Sequence, residues 1–289
     1  MNGGVDWRRA KTGFAAILGP PLGWFLIFFA VPMAVVWAYS FGTNSGISDI
    51  EISGTFANYA RALEPLYLGI MGKSLAFAAL ATLICLIVGF PVALAISFAP
   101  PGLKTWLLIG VMLPFWTNLL IRTYALIAIL RDEGLLNSGL ELAFGWAGFE
   151  RLNLMNNNFA VMVGLVYVHL PFTVLPLYAA LDKLDRSLLE ASFDLGAGHL
   201  RTIWNVVLPL AAPGIISAVL LTFIPVLGSY LQPDLLGGPD SQMIANVIER
   251  QFKRANDWPF GAALAFMLMY LTLFGIALQS LLKRRERPE

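Results

Sequence analysis

Six stretches of this chain, roughly 18–41, 70–98, 105–130, 159–181, 211–236 and 260–282, are each apolar over about the 20 residues a helix needs to cross a bilayer. Nothing else in the sequence limits the fold as much. Inside hydrocarbon every backbone polar group must be satisfied within the protein, which leaves helices and closed barrels, and runs of this length read as helices. With 58% hydrophobic and 13% charged residues, and a mean hydropathy of +0.72, the chain has too little polar surface for a water-soluble body. The expectation is an all-α integral membrane protein with six transmembrane helices. The first run is too long for a secretory leader core, and "VVWAYSFG" after it is a poor cleavage site, so it reads as a retained anchor.

Lys and Arg collect in short cytoplasmic loops, so their distribution orients the spans. With the N-terminus inside, the cytoplasmic pieces 1–17, 99–104, 182–210 and 283–289 hold 11 basic residues in 59 positions, against 6 in 79 for the outer loops. The bias is about 2.5-fold, carried mainly by "WRRAK" and "KRRER" near the ends. Both termini and the segment between spans four and five are therefore expected in the cytoplasm.

That segment, "LLEASFDLGAGHLRTIWNVVLPLAAPG" at 188–214, is the most polar stretch between two long apolar runs. Ser187 stands where an N-cap would, with Glu190 three residues on, the spacing of a capping box. Gly196 is placed to end a first short helix in the left-handed conformation. A second piece over about 199–207 is expected to stop at Leu208–Pro209, because a residue preceding proline is pushed out of the helical region. The pair has a mostly apolar face and no membrane length. It needs a partner surface, and a protein is the economical one.

The spacing Glu190-Ala191-Ser192, three residues, Gly196, nine residues, Val206, one residue, Leu208-Pro209 resembles the EAA motif of permease subunits in ATP-binding-cassette importers of the type I fold. Ser replaces the second Ala and Val the usual Ile. "LPFWTNLLIRTYAL" (113–126), "GLVYVHLPFTVLPLYAALDKLD" (164–185), "PDLLGGPDSQMIANVIERQF" (233–252) and "DWPFGAALA" (257–265) are similar to the first permease subunit of bacterial spermidine/putrescine importers. The resemblance runs over about 66–282.

It implies three pieces: an arm, first span and outer loop at 1–65; a type I transmembrane domain at 66–282 with a coupling loop at 182–210; and a basic cytoplasmic tail at 283–289. It also implies that Ser187, Glu190, Ala191, Ser192, Asp194, Gly196, Leu208 and Pro209 belong to a loop that docks on a cytoplasmic ATPase. The implied partners are a homodimer of that ATPase, which carries ATP and Mg, a second homologous permease, and a periplasmic substrate-binding protein. The implied location is the bacterial inner membrane. The cargo would be a polyamine, with opines and other small cationic metabolites as the alternative.

Charges inside the spans are costly, about 2.5–3.5 kcal/mol at a helix centre on insertion scales. Lys73, Arg122 and Asp234 are the three, all toward the outer ends of their runs. Lys73 reads as an interface anchor. Arg122 either bridges to Asp234 or faces the pathway. A polyamine in transit needs carboxylate and aromatic contacts. Asp234 with Tyr230 four residues earlier, Trp116 on span three, and the mid-span His169 are the candidate path residues. Prolines interrupt most spans, which suits a shape-changing assembly and is also common in membrane helices generally.

Two His and one Cys, Cys85, make no convincing metal cluster. "GKS" at 72–74 has Tyr67 where a phosphate-binding loop needs Gly, so this chain is not the ATPase. No nucleophile–base pair supports an enzyme, no cofactor is expected in the chain itself, and nothing points to nucleic acid. A carrier or channel working without ATP would share the six spans and buried charges. It would have no use for a helix–Gly–helix handle ending in Leu-Pro.

Overall fold

Residues 11–45, 49–147 and 150–285 are described in a computed structural model; most of the basic N-terminal arm and tail residues 286–289 fall outside them. In chain order the helices are α1 (Lys11–Phe25), α2 (Val31–Tyr39), α3 (Ala57–Ala62), α4 (Pro65–Phe98), α5 (Pro101–Trp116), α6 (Leu119–Leu130) and α7 (Leu135–Phe144). There follow α8 (Asn158–Leu181), α9 (Arg186–Asp194), α10 (His199–Thr202), α11 (Leu208–Leu227), α12 (Leu231–Leu236), α13 (Ile244–Lys253) and α14 (Trp258–Arg285). A two-residue antiparallel hairpin, β1 (Thr43–Asn44) with β2 (Ile50–Glu51), was not anticipated from the sequence. Among the described residues, 13–39, 65–98, 158–181, 199–227 and 258–277 are long and apolar enough to cross a membrane. Counting the bent pair Pro101–Trp116 and Leu119–Phe144 as one span gives six.

Three boundaries differ from the sequence expectation. The third run is not one helix: α5 and α6 meet at 94°. Pro114 stands near the end of α5, Thr117 turns extended at φ −79°, ψ 151°, and its hydroxyl bonds back to the Pro114 carbonyl at 2.7 Å. Asn118 then caps α6, its side chain accepting from the Leu120 amide at 2.8 Å. The fifth run ends at Leu227 rather than 236, because the chain breaks at Gly228–Tyr230 before the short α12.

Leu208–Pro209, expected to stop a helix, does not: 199–227 is continuous. Leu208 stays helical at φ −61°, ψ −46°, and its amide reaches five residues back to the Ile203 carbonyl, closing a π turn over Ile203–Val207. That wider turn is the local adjustment that lets a membrane helix carry a proline without breaking. The same pairing recurs in the first span, where the π turn Leu26–Ala30 precedes Val31-Pro32.

The chain divides into two compact units, 65–247 and 1–64 with 248–289, so residues 248–282 group with the N-terminal arm. In the larger unit α4, α8 and α11 form the core. Ala93, Ile96, Val174, Leu177, Val207, Ala211 and Ala218 pack there, small residues among them letting backbones approach. A Cβ on Gly214 would strike Ala180 on α8, which is why glycine stands at that crossing. A buried hydrogen bond of 2.7 Å between the hydroxyls of Thr173 and Thr222 ties α8 to α11. In the smaller unit Arg61 pairs with Asp257 at 2.8 Å, and its guanidinium lies 3.8 Å from the centre of the Phe260 ring. The Trp37 indole donates to the Tyr270 hydroxyl at 2.7 Å, joining α2 to α14.

Candidate coupling loop and transit path

The polar segment folds as α9, a glycine turn and α10. Its helix start corrects one expectation: the N-cap is Asp185, not Ser187. Asp185 is still extended at φ −70°, ψ 116°, and its carboxylate accepts from the Ser187 amide at 3.0 Å. Asp caps as well as Ser, and it stands two positions earlier, where the chain leaves α8. Ser187 is thus inside the helix, and Glu190 is an exposed residue one turn on rather than the closing half of a capping box. Hydrogen bonding from Ser187 holds the Asp185 carboxyl below the usual carboxylate range.

At the other end of α9 the expectation holds. Gly196 sits at φ +81°, a region that side chains disfavour. The amides of Gly196 and Ala197 bond back to the carbonyls of Phe193 and Ser192 at 2.9 and 3.1 Å, satisfying the last turn. Ser192, where the resembled motif carries Ala, has its hydroxyl 2.9 Å from that of Thr202 and so joins α9 to α10. Leu189 alone in α9 is buried; Ala191 and Asp194 are exposed. Leu188, Phe193, Leu195 and Leu200 present apolar surface, Leu195 being 88% exposed, so the segment ends in side chains that the described residues do not cover. Behind α9 a cavity of about 300 Å³ opens between Leu94, Phe98, Leu189, Phe193, Ile203 and Val207.

The residues expected along a path are brought together only in part. His169 is buried on α8, its Nδ1 2.8 Å from the Leu165 carbonyl and its Nε2 3.5 Å from the Ser229 hydroxyl at the break after α11. Arg122, near the start of α6, is 8% exposed. Its Nε and Nη1 are buried without a hydrogen-bond partner among the described residues, so they form no bridge to Asp234. Asp234 lies outside the helices long and apolar enough to cross a membrane. It lies exposed in α12, and its amide bonds to the carbonyl of Tyr230, which precedes that helix. Trp116, at the end of α5, is 71% exposed. The helix breaks at Thr117–Asn118 and Gly228–Tyr230 were missed in the sequence. Their signal was present in the cap-type residues Thr117 and Asn118 and in Gly228-Ser229, set within apolar surroundings.

Residues 20–288 match the family model described as the inner membrane component of binding-protein-dependent transport systems. The chain belongs to that family of permeases. This permease is 41% identical over 249 residues to the spermidine/putrescine transport system permease protein PotB of Escherichia coli K12, covering 86% of this chain and 89% of the relative. It is 40% identical over 254 residues to PotB of Haemophilus influenzae, covering 87% and 88%. Its fold is that of a bacterial alginate ABC transporter solved in complex with an alginate pentasaccharide-bound periplasmic protein. The TM-score is 0.76, at 18% identity, over 97% of each chain. The permease is accordingly an all-α, multi-pass inner-membrane transport subunit of the ABC importer type, not an enzyme.

Proposed function

We propose that this permease forms half of the translocation path of an ATP-driven importer of polyamines of the putrescine/spermidine class. The observation that carries the substrate is the likeness to PotB along most of the chain, at a level far above that to the alginate transporter. In this reading a homodimeric ATPase holding ATP and Mg docks on the α9–Gly196–α10 segment. A second homologous permease completes the path, and a periplasmic protein delivers the cargo. The exposed apolar residues of α9 and the loop beyond it support the docking role, since none of the described residues covers them.

The path is read as running past the helix breaks at Thr117–Asn118 and Gly228–Tyr230. Interrupted membrane helices are tolerated where they line a cavity or are buried in protein. Trp116 and Tyr230 supply aromatic faces for an ammonium group, Asp234 a carboxylate, and His169 and Arg122 the buried polar lining. The termini and 182–210 face the cytoplasm. A single cysteine at residue 199 in a Cys85→Ser background tests this: it should resist an impermeant thiol reagent added from the periplasmic side, and ready labelling overturns the orientation.

Uptake of labelled putrescine, spermidine and spermine by proteoliposomes holding the whole complex tests the substrate. ATP-dependent accumulation of at least one is expected. Accumulation of none, with uptake of another small cation instead, replaces the polyamine reading with that of a different cationic cargo.

A further inference from the structure

The junction between α8 and α9 carries two charges on the wrong ends of their helices. Asp182 is the C-cap of α8, where the helix dipole disfavours an anion, and Arg186 is the first residue of α9, where it disfavours a cation. Both are occupied from the same direction. Asp182 Oδ1 lies 2.5 Å from Lys104 Nζ, its Oδ2 accepts from the Tyr178 hydroxyl at 3.3 Å, and the Arg186 guanidinium lies 5.5 Å from the centre of the Phe98 ring. The hydrogen bond and charge of Lys104 hold the Asp182 carboxyl below its usual range.

Phe98 and Lys104 flank the elbow between α4 and α5. Pro100 and Pro101 have fixed φ, Pro100 sits at φ −59°, ψ 150°, and its carbonyl accepts from the amides of Leu103 and Lys104 at 3.0 and 2.9 Å. That makes the elbow a stiff corner. Only three residues separate Asp182 from Arg186. The start of α9 is thereby fastened to spans two and three through side chains, in addition to its covalent link to span four. An exposed ion pair adds little to stability, and charges opposed by both helix dipoles add less. Stability alone gives this sequence no reason to place them there.

We infer that Lys104, Asp182 and Arg186 are positioning residues forming a strut between α9 and the α4–α5 elbow, so that displacement of α9 by the ATPase moves spans two and three together with span four. The inference rests on the docking role of α9.

The test uses the complete importer in proteoliposomes and reads polyamine imported per ATP hydrolysed. Lys104→Met and Asp182→Asn keep the side-chain stems and remove the pair; each is expected to lower that ratio by at least about five-fold while hydrolysis continues. Lys104→Asp combined with Asp182→Lys rebuilds the pair with each charge now favoured by its helix end, and is expected to recover at least half of the parent ratio. Arg186→Gln should give a smaller loss. Single variants at the parent ratio overturn the strut, as does lowered thermal stability with an unchanged ratio, which marks a structural anchor only. Failure of the exchanged pair to recover overturns its electrostatic basis. Gly196→Pro in the same preparation separates the two levels. If it uncouples while the strut variants do not, the docking role stands and the strut falls; if it too keeps the parent ratio, both fall.

Discussion

The turn between α9 and α10 and the bend between α5 and α6 both redirect the chain, and they do so by different physics. The first depends on one residue. Gly196 occupies φ +81°, the amides around it bond within the turn, and a Cβ added there would meet nothing within 4 Å. The constraint is conformational and local. The second depends on surroundings. Thr117 and Asn118 permit a 94° bend, while α6 is held by Leu126 and Leu130 packing with Ala160 of α8 and Leu236 of α12. A local turn responds to the backbone freedom of one position. A buried bend responds to what is packed and paired around it.

The largest expected effect breaks the local turn. Proline cannot adopt φ +81°, and an incompatible proline costs about 3 kcal/mol or more. Gly196→Pro should therefore cut import at least about ten-fold in complexes matched for assembly. Gly196→Ala has room for its methyl and suffers only the left-handed backbone penalty, about 1–2 kcal/mol. It should fall between proline and parent. Import per assembled complex checks the order Gly above Ala above Pro. Equal activity of all three would mean the turn has no mechanical part.

The next effect concerns the buried side. Removing one partner of a buried ion pair costs about 3–5 kcal/mol, whereas replacing a buried charge that has no partner by an apolar side chain is neutral or stabilising. The Nε and Nη1 of Arg122 have no hydrogen-bond partner among the described residues, so Arg122→Met should leave the melting temperature of the purified chain at or above that of the parent. A drop of several degrees would show that the guanidinium is paired and that α6 is held by charge as well as packing. If Arg122 instead serves the path, import changes in the assembled complex while this stability does not.

These two regions also differ in how much of them was legible. The apolar runs were, because hydrocarbon demands long unbroken apolar helix and few other sequences supply it. Gly196 was legible because a left-handed helix end selects glycine from its own few neighbours. Ser187 was misread because Asp185 and Ser187 are both capping residues, and the choice rests on where α8 ends. The bend after Trp116 and the end of the fifth span at Leu227 were hidden for another reason. An apolar run scores as one helix whether or not Thr117–Asn118 or Gly228–Ser229 interrupts it, and the packing of α6 and α12 against α8 decides. Pro209 carried a correct local rule that a π turn two residues earlier overrides.

A smaller effect is expected at the Thr173–Thr222 bond between α8 and α11. Membrane hydrogen bonds between helices average about 0.6 kcal/mol, with a maximum near 1.7. Thr173→Val and Thr222→Val should each destabilise by about that amount, and the double variant by less than their sum, since each single leaves one buried hydroxyl unpaired. A double-mutant cycle of thermal stability measures it. Full additivity would mean the two hydroxyls do not share a bond.

The smallest effect returns to the local turn. The hydroxyls of Ser192 and Thr202 share one hydrogen bond of 2.9 Å across α9 and α10, yet the turn already closes through the Gly196 and Ala197 amides. A side-chain bond beside a backbone-satisfied turn contributes about 0.5–1.5 kcal/mol, and Thr202, 3% exposed, is the partner left wanting when it is lost. Ser192→Ala restores the residue of the resembled motif and keeps the helix. Import per complex should stay within about three-fold of the parent, because the backbone amides already close the turn and the lost bond is then worth about 0.5 kcal/mol, the low end of that range. Ser192→Val puts a branched side chain where the hydroxyl was, facing the same neighbour without a donor. If Ser192→Ala alone reduced import as far as Gly196→Pro, the turn would be governed by this side-chain pair, and the distinction between a locally held turn and a packed bend would fail at the loop itself.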